Sequence, residues 1–382
     1  MTKPAQRIQK VEEYYFSQKL KEIQSLKDQG KTIINLGIGS PDLPVDPKVI
    51  QALVEATLQG NHHYQSYVGI PSFRKAIADF YQKKYQVTLD STSEVLPLMG
   101  SKEGIMHICM AFVNKGDVVL LPDPGYPTYN SVCDLVEADK RFYNLTQENN
   151  WLPRMEELDE LARLKPKMMW INYPHMPTGA KIEDSYLEKL VVWAKKNEIL
   201  LVNDNPYSFV LNDKPKSILS IDGAMDCCLE LNSLSKTFNI PGWRIGMLLG
   251  SKTHLESVLK VKSNMDSGMF YGFQKAAEVA LALPDSWYQG LDKAYGQRKE
   301  RVLEITKILG LSTEQNTAGM FVWAKLPQEV QAKDFVDKLL YEFGVFITPG
   351  FIFGQNAKDY VRFSLCAPMD DLDEVINRLK TF

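Results

Sequence analysis

At 382 residues the chain has the length of two or three domains and enough material for a large core. Hydrophobic residues make up 45% and charged residues 24%, the proportions of a soluble globular enzyme. A net charge of −3 without a basic block excludes nucleic acid and anionic membrane as main partners, and no apolar run approaches the ~20 residues that span a bilayer.

The N-terminal stretch runs into Glu12-Glu13 rather than an apolar segment, so no secretory signal is expected. Strand 95–98 is followed by a helix over 102–113, with Ile105, Ile108, Cys109 and Phe112 on one face. Strands follow at 118–121 and 168–171. A helix over 183–197 carries Leu187, Leu190, Val191 and Ala194 on its face, and strands 199–202 and 227–231 come next. These strands are almost continuously apolar, as in a sheet covered on both faces. Their alternation with helices predicts a mainly parallel α/β sheet.

The last ~100 residues read differently. A helix over 287–309, a strand over 319–324, a helix over 334–342, strands over 345–348 and 360–365, and a helix over 369–380 predict a smaller α+β domain. There is no internal repeat or long linker. Five cysteines, odd in number and mostly in apolar contexts, read as reduced thiols of a cytoplasmic protein. No Cys/His spacing suggests zinc, His62-His63 reads as an exposed loop pair, and no metal is expected.

The chemistry concentrates in segment 229–246. Lys236 stands just past an apolar run, at the carboxyl end of a strand, where open α/β sheets bind ligands. Ser, Thr, Asn, Gly and Pro surround it, which predicts a loop. Ser233 and Ser235 precede it and Arg244 follows eight residues later. A lysine can form an imine with an aldehyde, while hydroxyls and a guanidinium hold an anion on the same molecule. Pyridoxal 5′-phosphate (PLP) is such a molecule. Ser101 and Lys102 open a helix after a strand, where free N–H groups suit phosphate; read alone, the site is an ordinary strand-to-helix turn. Asp204 ends a strand and suits a protonated ring nitrogen, although Asn-Asp-Asn-Pro also favours a plain turn. Tyr207, three residues on, is in reach of a phenolic oxygen. Arg362 lies inside a predicted strand, where a charge must be paired; its fork suits a carboxylate, or a structural ion pair.

The order of these segments resembles that of the class I/II PLP-dependent aminotransferases. Ser233-x-x-Lys236 with Arg244 resembles the family's lysine signature. Asn172-Tyr-Pro-His-Met-Pro-Thr-Gly179 resembles its Asn-Pro-Thr-Gly turn, and Asp204-Asn-Pro-Tyr207 its Asp-x-x-Tyr element. Gly100-Ser-Lys-Glu-Gly104 and Pro122-Asp-Pro-Gly-Tyr-Pro127 resemble the phosphate turn and the ring-stacking loop, in wording nearest the LL-diaminopimelate aminotransferase-like branch. Val361-Arg-Phe-Ser364 resembles the carboxylate-binding strand. The likeness covers about residues 30–382.

The resemblance implies fold type I. An N-terminal arm, 1–44, joins the small domain; residues 45–285 form the large PLP-binding domain, built on a seven-stranded type of sheet; 286–382 form the small domain. It also implies that Tyr126 stacks on the pyridine ring and that Gly39 and Arg362 bind the substrate carboxylate. Tyr64 would reach the phosphate of a neighbouring subunit, so a homodimer with shared sites is expected. The implied activity moves an amino group from an L-amino acid to a 2-oxo acid in a ping-pong cycle through Lys236. A β-eliminating carbon–sulfur lyase is the alternative, and a non-catalytic ligand-binding protein on the same fold ranks third. One position departs from the pattern. Met176 replaces the usual Asn before Pro-Thr-Gly and cannot donate to the cofactor's phenolic oxygen. The expected result is a raised imine pKa, with Tyr207, Asn172 or Asn205 taking over that contact.

Overall fold

The computed structural model describes every residue except Met1, Glu12 and Tyr14. Its central sheet has seven strands in the order β2-β8-β7-β6-β5-β3-β4. In chain order β1 is Ile34–Asn35, β2 Val95–Leu98, β3 Val118–Asp123, β4 Asp139–Asn144, β5 Met168–Ile171, β6 Leu200–Asp204, β7 Cys228–Ser233 and β8 Gly246–Gly250. All pairs from β4 across to β7 are parallel; β8 runs antiparallel to both of its neighbours.

Successive side chains along a strand point to opposite faces, and two cores use this. Val119, Leu121, Met168, Trp170 and Val202 pack against Ile105, Ile108 and Cys109 of the helix Ser101–Phe112 and Leu255 of the helix Lys252–Lys262. Leu120, Met169, Ile171 and Leu201 fall into the other core, with Ile77 and Tyr81 of the helix Pro71–Tyr85 and Leu187 and Leu190 of the helix Asp184–Lys196. This two-sided burial explains the unbroken apolar runs. Each buried Leu or Ile is worth about 1.5–3 kcal/mol.

The remaining strands are β9 (Ser312–Thr313), β10 (Phe321–Lys325), β11 (Val345–Phe346), β12 (Thr348–Pro349) and β13 (Tyr360–Ser364). β12-β13-β10-β9 form an antiparallel sheet, and β1 pairs in parallel with β11. The expected strand over 345–348 is therefore two strands in two sheets. Val345 and Phe346 serve β1, and Thr348 and Pro349 serve β13. Pro349 lacks the N–H to extend a ladder further. The last helix ends at Arg378 and closes in a 3-10 turn, Leu379–Thr381.

The helix Asp285–Ile308 spans 24 residues, about 36 Å. Its Arg298 grips Asp42 with two bonds of 2.6 and 2.8 Å and donates to the Leu365 carbonyl at 3.0 Å. One guanidinium thus ties the N-terminal segment, the long helix and the end of β13 together. No helix among the described residues is long and apolar enough to cross a membrane.

Candidate active site

The carboxyl ends of β2, β3, β6 and β7 open into a cavity of about 660 Å³, the size of a small-molecule site. After β2 the chain turns at Gly100, whose φ of 89° falls in the region glycine favours. A Cβ there would lie 2.3 Å from Arg244 Nη2, so only glycine lets the guanidinium rest on this turn. Ser101 and Lys102 begin the helix and line the cavity. Arg244 Nη1 is fixed by the Pro241 carbonyl at 2.8 Å. Ser233 Oγ donates to Ser235 Oγ at 2.9 Å, and both hydroxyls line the same end. Free helix N–H groups, hydroxyls and cations make this end fit a phosphate.

Lys236 lies on a one-turn helix, Leu234–Thr237, not in the loop its neighbours predicted. Ser233 starts that turn by accepting from the Ser235 N–H at 3.1 Å, so hydroxyl-rich composition here marks a helix start. The lysine Nζ donates to the Gly39 carbonyl at 2.5 Å and lies 6.0 Å from the Tyr207 ring centre. Burial, reinforced by the positive charges of Arg362 and Arg244, lowers its ammonium to about 8.

Asp204 is the last residue of β6, so the strand runs two residues further than expected. Its Oδ2 accepts from Tyr129 OH at 2.8 Å; its buried Oδ1 has no hydrogen-bond partner. Burial raises the carboxyl to about 6, against the opposing effect of the Tyr129 bond. Leaving such an oxygen unmatched costs roughly 1–3 kcal/mol. Asp204 lines the cavity together with Lys236, and a protonated ring nitrogen would satisfy the unmatched oxygen. The residues thus fit PLP at both ends. Tyr207 is half-buried in the same wall, and desolvation holds its phenol well above the ordinary range although the Arg362 charge opposes this. Tyr126 lines the cavity edge-on to Tyr129, ring centres 5.5 Å apart.

Arg362 is buried mid-strand in β13. Its Nη2 donates to the Gly37 carbonyl at 2.8 Å, and its Nη1 points to Met176 Sδ at 3.2 Å. The guanidinium lies 3.9 Å from the Phe321 ring centre and 4.8 Å from that of Phe353, both within cation–π range. Gly39 is pressed on the Phe321 ring, 2.3 Å from where a Cβ would sit. Asn172 donates to the Asp204 carbonyl and accepts from Met176 N at 2.8 Å; the Asn205 amide donates to the Lys216 carbonyl at 2.8 Å. Asn205 therefore faces away from the cavity and does not stand in for the missing Asn.

One residue is not brought to this chain's cavity. Tyr64 is 87% exposed and outside the lining. The sequence pointed to the segment around Ile38 and to 267–273 as possible walls of the side-chain pocket; Ile38 lines the cavity and 267–273 does not, while Tyr129, which orients Asp204, and Phe16 and Leu20, which wall the cavity, were missed. Phe16 and Leu20 stand at i, i+4 on the helix Tyr15–Asp28, a visible face with no local sign of what it covers. Outside the cavity, Glu103, His107 and Asp266 bring ligand atoms within 4.8 Å of one another. The Lys262 ammonium, 2.8 Å from Asp266, already supplies a cation there.

The family model of aminotransferase class I and II matches residues 31–379. The chain is a class I and II aminotransferase. It is 40% identical to the LL-diaminopimelate aminotransferase of Aquifex aeolicus, over 98% of this chain and 97% of that one. It is also 40% identical to the enzyme of that name from Maridesulfovibrio salexigens, over 99% and 98%. The substrate-bound BacF structure from Bacillus subtilis superposes with a TM-score of 0.96 at 33% identity, covering 100% of this chain and 98% of that one. Members of this aminotransferase family depend on PLP and move amino groups between amino and 2-oxo acids. These likenesses favour transfer over the eliminating lyase.

Proposed function

We propose that the amino group is transferred in a ping-pong cycle in which Lys236 moves the proton at the substrate Cα. PLP supplies the aldehyde that takes up the substrate nitrogen and the ring that accepts electron density from Cα. Lys236, lowered to about 8, has a free amine in useful amount near neutral pH and acts as general base and acid. Asp204 keeps the ring nitrogen protonated. Tyr207 donates to the phenolic oxygen, and Tyr126 stacks on the ring. Ser101, Lys102, Ser233, Ser235 and Arg244 hold the phosphate. Arg362 and the Gly39 backbone orient the substrate carboxylate. The observation that carries this reading is the unmatched Asp204 Oδ1 on the same cavity as Lys236.

Supported by the β1–β11 pairing, residues 1–44 join 286–382 as the small domain, and 45–285 are the large one. A homodimer with Tyr64 serving the neighbouring site accounts for that ring's 87% exposure and its distance from its own cavity. Five free thiols support a reducing, cytoplasmic setting. The Aquifex relative is named for LL-diaminopimelate, which makes that amino acid one donor to assay.

The test is a half-reaction. Enzyme reconstituted with PLP loses the absorbance of its lysine-bound cofactor on mixing with a donor and recovers it with a 2-oxo acid. Lys236→Ala loses at least the roughly 10²–10⁴-fold that positioned proton transfer supplies, and gel filtration strips its cofactor. A variant that transaminates at the wild-type rate would overturn the assignment.

A further inference from the structure

Five charged side chains line the cavity among the described residues, and each faces the cofactor or the carboxylate end. Asp204 and Lys236 are placed as above. Lys102 and Arg244 lie together at the phosphate end: burial, then the neighbouring guanidinium, lowers the Lys102 ammonium. Arg362 is held by Gly37 and Met176. The rest of the wall, beyond Arg362, is apolar except for Ser17. It consists of Phe16 and Leu20 from the N-terminal helix, Ile38, and Phe353, with Phe321 under the guanidinium. Its polar member, Ser17, turns its hydroxyl to Glu13, which pairs with Lys21 at 2.6 Å; neither Glu13 nor Lys21 lines the cavity.

In the proposed homodimer, the segment that carries Tyr64 adds no fixed charge to this balance. Residues 62–67, around Tyr64, read His-His-Tyr-Gln-Ser-Tyr and bring no fixed charge. In the adjoining stretch 263–271 the one carboxylate, Asp266, is paired with Lys262 at 2.8 Å.

We propose that the cavity selects amino acids with apolar side chains over dicarboxylic and diamino donors. This rests on the aminotransferase reading above. A second carboxylate or ammonium would leave water with no opposite charge to meet it. A ring or branched chain would instead bury apolar surface against Phe16 and Phe353. Such a pocket rejects a charge through its uncompensated desolvation and discriminates only weakly among hydrocarbons.

The experiment is the single-turnover half-reaction of PLP-loaded enzyme with L-phenylalanine, L-leucine, L-aspartate, L-glutamate and LL-diaminopimelate. Phenylalanine and leucine are expected to convert the cofactor at least tenfold more efficiently than the three charged donors. If a charged donor matches or exceeds them, transamination stands and this selectivity is overturned. If none of the five converts the cofactor, the aminotransferase reading falls and the proposal with it. Leu20 is 44% exposed, so Leu20→Arg leaves the fold intact. It should move the aspartate-to-phenylalanine efficiency ratio upward by about tenfold. An unchanged ratio would overturn the placement of the substrate side chain against this helix.

Discussion

Among single residues, Met176 separates this site from the pattern it otherwise follows. Its thioether lies 3.2 Å from Arg362 Nη1 and lines the cavity, so it touches the proposed carboxylate end while offering no donor to the cofactor. Asn172 has its amide on the Asp204 carbonyl and Asn205 has its own on Lys216, which leaves Tyr207 as the donor for the phenolic oxygen. In Met176→Asn the new carbonyl accepts from Arg362 and the new amide donates to that oxygen. The pH at which the visible absorbance of the PLP-loaded enzyme titrates should fall by about one unit, equivalent to one hydrogen bond of about 1.4 kcal/mol. An unmoved titration would sink this account. The cavity-lining side chains Lys236, Asp204 and Arg362, proposed to react, were legible because each sits in a short motif at a strand end or within a strand. Tyr129 was not, because nothing local distinguishes a tyrosine on Asp204 from one that merely packs.

At the level of elements, the strands with unbroken apolar runs were found to within a few residues. Two were missed. β4, Asp-Lys-Arg-Phe-Tyr-Asn, lies at the sheet edge with Arg141 and Phe142 exposed, so it has no apolar run to read. β8 is only Met247-Leu248-Leu249 between two glycines, hidden behind the lysine segment. The Asp42–Arg298 pair shows how elements are locked at a distance. Arg298 is 6% exposed and lies 256 residues away in sequence. Breaking one partner of a buried pair costs about 3–5 kcal/mol, and the partial exposure of Asp42 reduces this to about 2. Asp42→Asn should lower the urea midpoint accordingly; an unchanged midpoint would show that the pair adds nothing to the docking of the N-terminal segment.

For the whole molecule, the seven-stranded sheet supplies the floor of the site, while Arg362, Phe321 and Phe353 come from the C-terminal layer. β1 pairs with β11 across more than 300 residues, which brings Gly37 and Gly39 beneath Arg362 and Lys236. The proposed homodimer adds Tyr64. Light scattering should give twice the 43.5 kDa chain mass. Tyr64→Phe should weaken PLP binding roughly tenfold, the worth of one bond to a charged group, without changing that mass. A monomer with full cofactor affinity would refute the shared site.

Sequence alone determined the alternating architecture and singled out the residues now proposed to react. Apolar periodicity and short strand-end motifs are local properties that survive without knowledge of the fold. Only the tertiary structure decided that Phe16 and Leu20 wall the cavity, that Met176 meets Arg362, and that Asp204 keeps an unmatched oxygen. Those facts depend on which distant surfaces pack together, and packing is set by the sum of many weak, non-directional contacts that no single stretch of chain records.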